Sequence, residues 1–325
     1  MKPFWKELGF AAVMGLALPA VMLTAAVGLT LSRVTEDPQI QTSPTEPETV
    51  AQVTRTRIGV LTGEGTVEEM DLEEYLVGVV LAEMPVSFEP EAQKAQAVVA
   101  RTFTLRSQQG GKHETAAVCM DSGCCQAYIA PEEYLAKGGT QEGIDKMRAA
   151  VEATAGQVLT YEGELIEATY FSCSGGSTED AVAVWGTDVP YLRSVDSPGE
   201  ENAAHYTDTV TFTREEFGSA LALELTGEPE SWLGAVTYTA GGGVDTMVIG
   251  GVSFKGTALR KILGLRSTAF TMTAGEDSVT VTTRGYGHRV GMSQYGADAM
   301  AVTGSSFEEI LVHYYQGTIL ECWEN

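Results

Sequence analysis

Basic side chains are scarce in this chain: 20 Lys and Arg stand against 44 Asp and Glu in 325 residues, a formal net charge of −24. That balance argues against a nucleic-acid partner, because phosphate binding depends on many cations. Cysteine is also scarce, and its count of five is odd, so a complete disulfide framework is excluded. No internal repeat is present, which removes solenoids and propellers. The one serine that invites a nucleophile reading, Ser174, sits in Ser-Gly-Gly rather than in the Gly-x-Ser-x-Gly elbow, and no ordered triad accompanies it. Strand and helix signals mix without regular βαβ alternation, so the expected class is α+β rather than doubly wound.

What is present begins with an apolar run. Leu8 to Leu31 contains 24 residues without a charge, long enough to span a bilayer. Lys2 and Lys6 precede it and favour a cytoplasmic tip with an exported body, although Arg33 on the far side reduces the asymmetry. A cleaved signal peptide, with Ala25 and Ala26 as small residues near its end, is the competing reading. Residues 1–34 are therefore expected to be a tip and transmembrane anchor. Residues 35–55, rich in Pro, Thr, Glu and Gln, are expected to be a flexible linker. Residues 56–325 would form the folded region, with a second lobe expected from about 200.

Within the folded region, Asp71-Leu72-Glu73-Glu74 reads as a capping box opening a helix through Tyr75, Val79 and Val80 to Glu83. Pro85 stops it, since the residue before a proline is pushed out of the helical region. Glu83 then lies at the negative end of the helix dipole among Val80, Leu81, Met84 and Pro85. Both features disfavour the ionised carboxylate and suit a proton donor. Ser87 is the expected N-cap of a second helix carrying Lys94, Gln96 and Arg101, with Lys94 and Arg101 on one face. Lys94, Arg101 and Arg193 are the candidates for a local basic groove on an otherwise acidic molecule.

Further along, Ile144 to Ala155 is helical in period and is stopped by Gly156, and a hairpin turns at Glu162-Gly163. Thr213 with Glu216 is a second capping box. Gly241 to Gly243 joins two strands, Ala269 to Thr273 and Val279 to Thr283 alternate as strands, and two helices follow near Ser293 to Val302 and Phe307 to Tyr315. His113, Cys119 and Cys125 are spaced by six residues and supply an imidazole and two thiolates of the kind zinc prefers. A fourth ligand would be Cys124, Cys173 or water. The competing readings are a reduced loop and a Cys119–Cys125 disulfide. His288, between glycine-rich neighbours, reads as a hydrogen-bonding strut that supports a site; His313 reads as packing.

Three blocks together resemble the stage II sporulation protein D family. They are Tyr75 to Val80 with Glu83-Met84-Pro85 and Lys94 to Thr102; Ser172-Cys173-Ser174-Gly175-Gly176 with Val184-Trp185-Gly186 and Pro190-Tyr191-Leu192; and Gly285 to Gln294. The resemblance spans about Ile58 to Leu320, with Tyr286 where the family has Trp and Arg289 where it has Gly. It implies a peptidoglycan lytic transglycosylase acting in spore engulfment, with Glu83 as acid and then base. Lys94 and Arg101 would bind the strand or orient Glu83, with Ser172, Tyr191 and Arg193 as groove residues. It also implies structural zinc on His113, Cys119 and Cys125, an amidase partner among membrane proteins of an engulfment complex, and strands stripped of stem peptides as substrate. The alternative is a noncatalytic wall-binding activator of an amidase; a third reading is a muramidase that hydrolyses with water.

Overall fold

A computed structural model describes residues 56–323. The expected anchor and the whole of the expected linker lie outside the described residues. Among the described residues, no helix is long and apolar enough to cross a membrane.

The chain opens with β1 (Arg57–Leu61) running antiparallel to β2 (Val67–Asp71). β2 is mostly exposed and acid-rich, so its sequence shows no apolar alternation; its pairing with β1 is what makes it a strand. Asp71 caps α1 (Leu72–Glu83), its side chain accepting from the Glu74 N–H at 3.2 Å. Val77, Val79 and Val80 are weak helix formers, yet they hold here because α1 is buried on nearly every side. Each of these side chains gains about 1.5–3 kcal/mol over exposure, far more than its propensity deficit. Gly78 is required by contact: a Cβ there would stand 2.3 Å from the Tyr128 ring, which stacks on Tyr75 with centroids 5.4 Å apart.

α2 (Pro90–Gln108) begins with proline in its first turn and Glu89 as N-cap. The start is later than the Ser87 expected from sequence, because Asp298, 209 residues away, accepts the Glu89 N–H at 2.7 Å. β3 (Val118–Cys119) joins β1 in parallel, and α3 (Pro131–Ala136) and α4 (Gln141–Ala153) follow, α4 packing on both α1 and α2. β4 (Gln157–Tyr161) turns at Glu162-Gly163, both at positive φ, into the short β5 (Glu164–Leu165). The hairpin's second strand stops at Leu165, short of the Leu165 to Phe171 that the sequence leads one to expect. β6 (Tyr170–Phe171) leaves it to pair in parallel with a strand more than 120 residues later. β7 (Gly176–Ser177) and β8 (Asp196–Ser197) pair around α5 (Ala181–Trp185).

The next segment builds its own core. β9 (Thr207–Thr213) leads through the reciprocal Thr213/Glu216 capping box into α6 (Arg214–Leu221). β10 (Leu233–Tyr238), β11 (Val244–Ile249) and β12 (Val252–Lys255) form one antiparallel sheet, followed by α7 (Gly256–Ile262). β13 (Phe270–Ala274) and β14 (Ser278–Arg284) complete a second sheet with β9. Phe217, Trp232, Ile249, Leu259 and Val281 fill the space between them.

The chain then returns to the larger core. β15 (Met292–Ser293) pairs with β6, α8 (Gln294–Val302) and α9 (Phe307–Tyr314) cover α2, and β16 (Ile319–Cys322) lies antiparallel to β4. Val290, Met292, Ile310 and Tyr314 belong to the same cluster as Leu76 and Val98. The class is α+β, with the smaller core inserted between the middle block and the C-terminal block.

Candidate active site

Glu83 is the last residue of α1, and the Met84 N–H closes the helix onto the Val80 carbonyl at 2.9 Å. Its carboxyl group receives three donors from distant parts of the chain. Oε1 accepts the Ala127 N–H at 2.8 Å and Oε2 accepts the Gln294 amide at 3.3 Å. The Tyr170 hydroxyl also bonds to it. Among the described residues, no lysine or arginine forms an ion pair with it. Burial pushes the Glu83 acid up from its ordinary value, and the three hydrogen bonds offset this only in part. A shift in that direction favours the proton-donating form, while the fixed donors are placed to hold the anion that results.

The carboxyl faces a cleft of about 570 Å³, within the usual range for small-ligand sites. Phe103, Tyr170, Trp185 and His288 form its aromatic walls, and Lys112, Cys124, Cys125 and Glu167 its polar side. Trp185 is 45% exposed and offers a broad apolar surface at the mouth of the cleft. His288 packs against Trp185 and Phe171, its Nδ1 accepting the Val290 N–H at 3.2 Å and its ring bonding the Tyr170 backbone. Burial lowers its pKa to about 4, so it stays neutral and positions Tyr170.

Tyr170 and Gln294 meet because β6 and β15 pair in parallel, Met292 opposite Tyr170. Gly291, immediately before that strand, has φ +82°, and a Cβ there would lie 2.0 Å from the Thr169 carbonyl. Gln294 also reaches Gln96 of α2 at 3.4 Å, which fixes its amide toward Glu83. Sequence reasoning did not single out Tyr170, Ala127 or Gln294. Only Gln294 carried a signal, as the end of the C-terminal block.

The expected basic groove is corrected by the structure. Arg101 is fully buried and forms a bidentate pair with Glu73 at 2.6 and 2.9 Å, donating also to the Val151 and Gln157 carbonyls. It ties α1, α4 and β4 together. Lys94 pairs with Glu91 at 2.6 Å and lies over the Phe307 ring, while Glu91 accepts the Phe307 N–H at the start of α9. Arg101 points into the protein because α2 is a central helix, while Lys94, near its start, stays partly exposed. Arg193 pairs with Asp188 at the surface, at 2.7 Å. Tyr191 is buried, and its hydroxyl accepts the Glu167 N–H at 2.9 Å, so it supports the cleft wall from behind. The Ser172 carbonyl accepts the Tyr295 N–H and the Ser293 hydroxyl at the start of α8.

The Cys173-Ser174-Gly175 segment wraps a second buried carboxylate. Glu200 accepts from Cys173 Sγ at 3.0 Å, Ser174 N at 2.6 Å, Ser174 Oγ at 2.9 Å and Gly175 N at 3.3 Å. That contact removes Cys173 as a metal ligand and gives Ser174 a structural part. Arg289, at φ +68° in the position where glycine was expected, pairs with the buried Glu179 at 3.0 Å. It donates as well to the carbonyls of Ser174, Ser177 and Gly241, and so fastens the Gly241–Gly243 turn to the middle block.

Beside the cleft, His113, Cys119, Cys124 and Cys125 bring one ligand atom each to within 4.8 Å of one another. His113 Nε2 is 3.4 Å from Cys125 Sγ and 3.7 Å from Cys124 Sγ, and the two sulfurs are 3.9 Å apart. Those separations match the edges of a tetrahedron with Zn–S of about 2.3 Å and Zn–N of about 2.0 Å. Of the three candidates for a fourth ligand, Cys124 is the one that the fold brings into the cluster.

The fold and site thus define an α+β protein whose cation-free glutamic acid faces a cleft beside a His/Cys3 cluster. The matching family profile, stage II sporulation protein, covers residues 61–161. The chain is 43% identical over 263 residues to stage II sporulation protein D of Bacillus subtilis (strain 168), covering 79% of this chain and 76% of that protein. The same-named protein of Bacillus amyloliquefaciens is 42% identical over 262 residues, with the same coverage. The amidase enhancer of Bacillus subtilis is 30% identical over 303 residues, covering 75% of this chain and 40% of that protein. The chain belongs to the stage II sporulation protein D family.

Proposed function

We propose that this protein is a peptidoglycan lytic transglycosylase that cleaves between N-acetylmuramic acid and N-acetylglucosamine during spore engulfment. The observation that carries the reading is Glu83: a carboxyl whose acid is raised by burial, without an ion-pair partner among the described residues, at the wall of an aromatic-lined cleft. Its proton passes to the glycosidic oxygen as the bond from that oxygen to the muramoyl anomeric carbon breaks, releasing the N-acetylglucosamine hydroxyl. The carboxylate, held by Ala127 N–H, Gln294 and Tyr170, then takes the proton of the muramoyl 6-hydroxyl. That oxygen closes on the anomeric carbon, giving an anhydro sugar and the restored acid. One carboxyl suffices because no external water is activated. Glu167 lines the same cleft, so hydrolysis is the reading to exclude. Mass spectrometry of products from peptide-free strands decides it, since anhydro ends weigh one water less than reducing ends.

His113, Cys119, Cys124 and Cys125 would hold a structural zinc that clips the loop bearing Ala127, and the proton steps do not pass through it. Cys119→Ser should release the metal and lower the melting temperature, read by metal analysis and calorimetry. Leu8 to Leu31 would anchor the chain as a single span, the linker would present residues 56–325 outside the membrane, and an amidase and other membrane proteins of the engulfment complex would be partners. A second reading, a noncatalytic activator of an amidase, is favoured by the likeness to the amidase enhancer. Such a protein would tolerate replacement of Glu83.

A further inference from the structure

Beyond the Glu83 pocket, the cleft continues. A second cavity of about 500 Å³ shares Phe103, Lys112, Cys125 and Glu167 with the first and adds Arg106, Ser107 and the Gln109–Gly111 turn. The two form one groove, with Glu83, Trp185 and His288 at one end and Arg106 and Lys112 toward the other. This is where the groove's basic side chains lie, in place of Lys94 and Arg101.

Arg106 stands in the last turn of α2. Its Nε pairs with Glu167 at 3.0 Å, and its Nη1 donates to the Leu165 carbonyl. Among the described residues, Nη2 has no partner. The pair is about 40% exposed on both sides, so solvent screens it and it rearranges readily. Lys112 is exposed and anchored by its ammonium to the Cys124 carbonyl, leaving two N–H donors free to turn. Against a chain of net charge −24, two cations facing one groove and one carboxylate make a local site for an anion.

We propose that Arg106 and Lys112 form a subsite for the carboxylate of a muramoyl lactyl ether, one sugar unit or more away from the bond that Glu83 cleaves. This rests on the glycan reading above. In such a strand the lactyl group carries the carboxyl; N-acetylglucosamine offers only hydroxyls and an acetamide. When a stem peptide is attached, that carboxyl becomes an amide and the charge is lost. The subsite therefore distinguishes a bare muramoyl unit both from a substituted one and from N-acetylglucosamine.

The test uses the full chain with Glu83→Gln, so that strands bind without being cut, and titrates peptide-free glycan strands and N-acetylglucosamine oligomers of equal length by calorimetry. Adding Arg106→Gln or Lys112→Gln should weaken binding of the muramoyl strand roughly tenfold at low salt, with a smaller loss at high salt, and leave the N-acetylglucosamine oligomer unchanged. Arg106→Lys should restore part of the loss. Equal losses for both ligands, or no loss for either, would overturn the subsite while the Glu83 reading stands. Failure of the Glu83→Gln chain to bind either ligand would instead remove the glycan reading, and the subsite with it.

Discussion

The Glu83 cleft and the Glu200 cradle each seat a carboxyl group on main-chain N–H donors, and their differences separate chemistry from architecture. Glu200 is 1% exposed and enclosed by Cys173, Ser174, Gly175 and Ser197, its oxygens fully engaged. Glu83 has fewer donors, keeps one side on a cleft, and its acid is raised by burial. Buried groups with complete hydrogen bonding stabilise a fold; a buried group with incomplete compensation and access to a ligand can exchange a proton. The contrast extends to Glu179, where Arg289 supplies a full counter-ion inside the protein.

The sharpest way to break this comparison is to make the same substitution in both places. Glu83→Gln should lower cleavage about 10²–10⁴-fold with the fold retained. Glu200→Gln, which turns an amide donor toward backbone N–H groups, should cost roughly 2–4 kcal/mol of stability and reduce activity only through loss of folded protein. Similar activity losses per folded molecule in the two variants would refute the division.

A comparable but purely structural effect is expected at Arg101. Arg101→Met should leave Glu73 without its partner and destabilise the protein by about 3–5 kcal/mol. Glycan affinity measured on folded protein should stay the same at low and high salt. A salt-sensitive loss of binding would return Arg101 to the groove.

A smaller effect is the pH dependence of stability. The folded pKa of Glu83 lies above its unfolded value, so its protonated form contributes stability that is full below about pH 4 and is lost as pH rises through the folded pKa. Glu83→Gln should therefore melt at the parent's temperature in acid and above it at neutral pH, a gap that thermal denaturation from pH 3.5 to 8 would follow. A constant gap would mean that Glu83 is not raised. The smallest effect belongs to Lys94→Ala, whose partly exposed pair with Glu91 is worth under about 1 kcal/mol and whose loss should leave glycan binding alone.

Local signals were legible where local physics decides. Pro85 and the apolar period place the end of α1 at Glu83, and both Thr213/Glu216 and the alternation of β13 and β14 are written within short windows. The His/Cys cluster was partly legible: the spacing pointed to His113, Cys119 and Cys125, and folding brings Cys124 beside them. β2 and β16 were not legible, because an exposed edge strand owes its state to its neighbour.

By itself, then, the sequence determined the helix that carries Glu83, the α+β class, the donor types of the cluster and the family. Only tertiary structure decided which cations meet the cleft, since a helix buried on most sides gives no polar face from which to read it; Arg101 turns inward while Arg106, five residues on, turns out. It alone also brought Ala127, Tyr170 and Gln294 to one carboxyl group, because a parallel pair between β6 and β15 closes across the whole inserted core. Contacts of that span are set by the packing of complete elements, which no short window of residues contains.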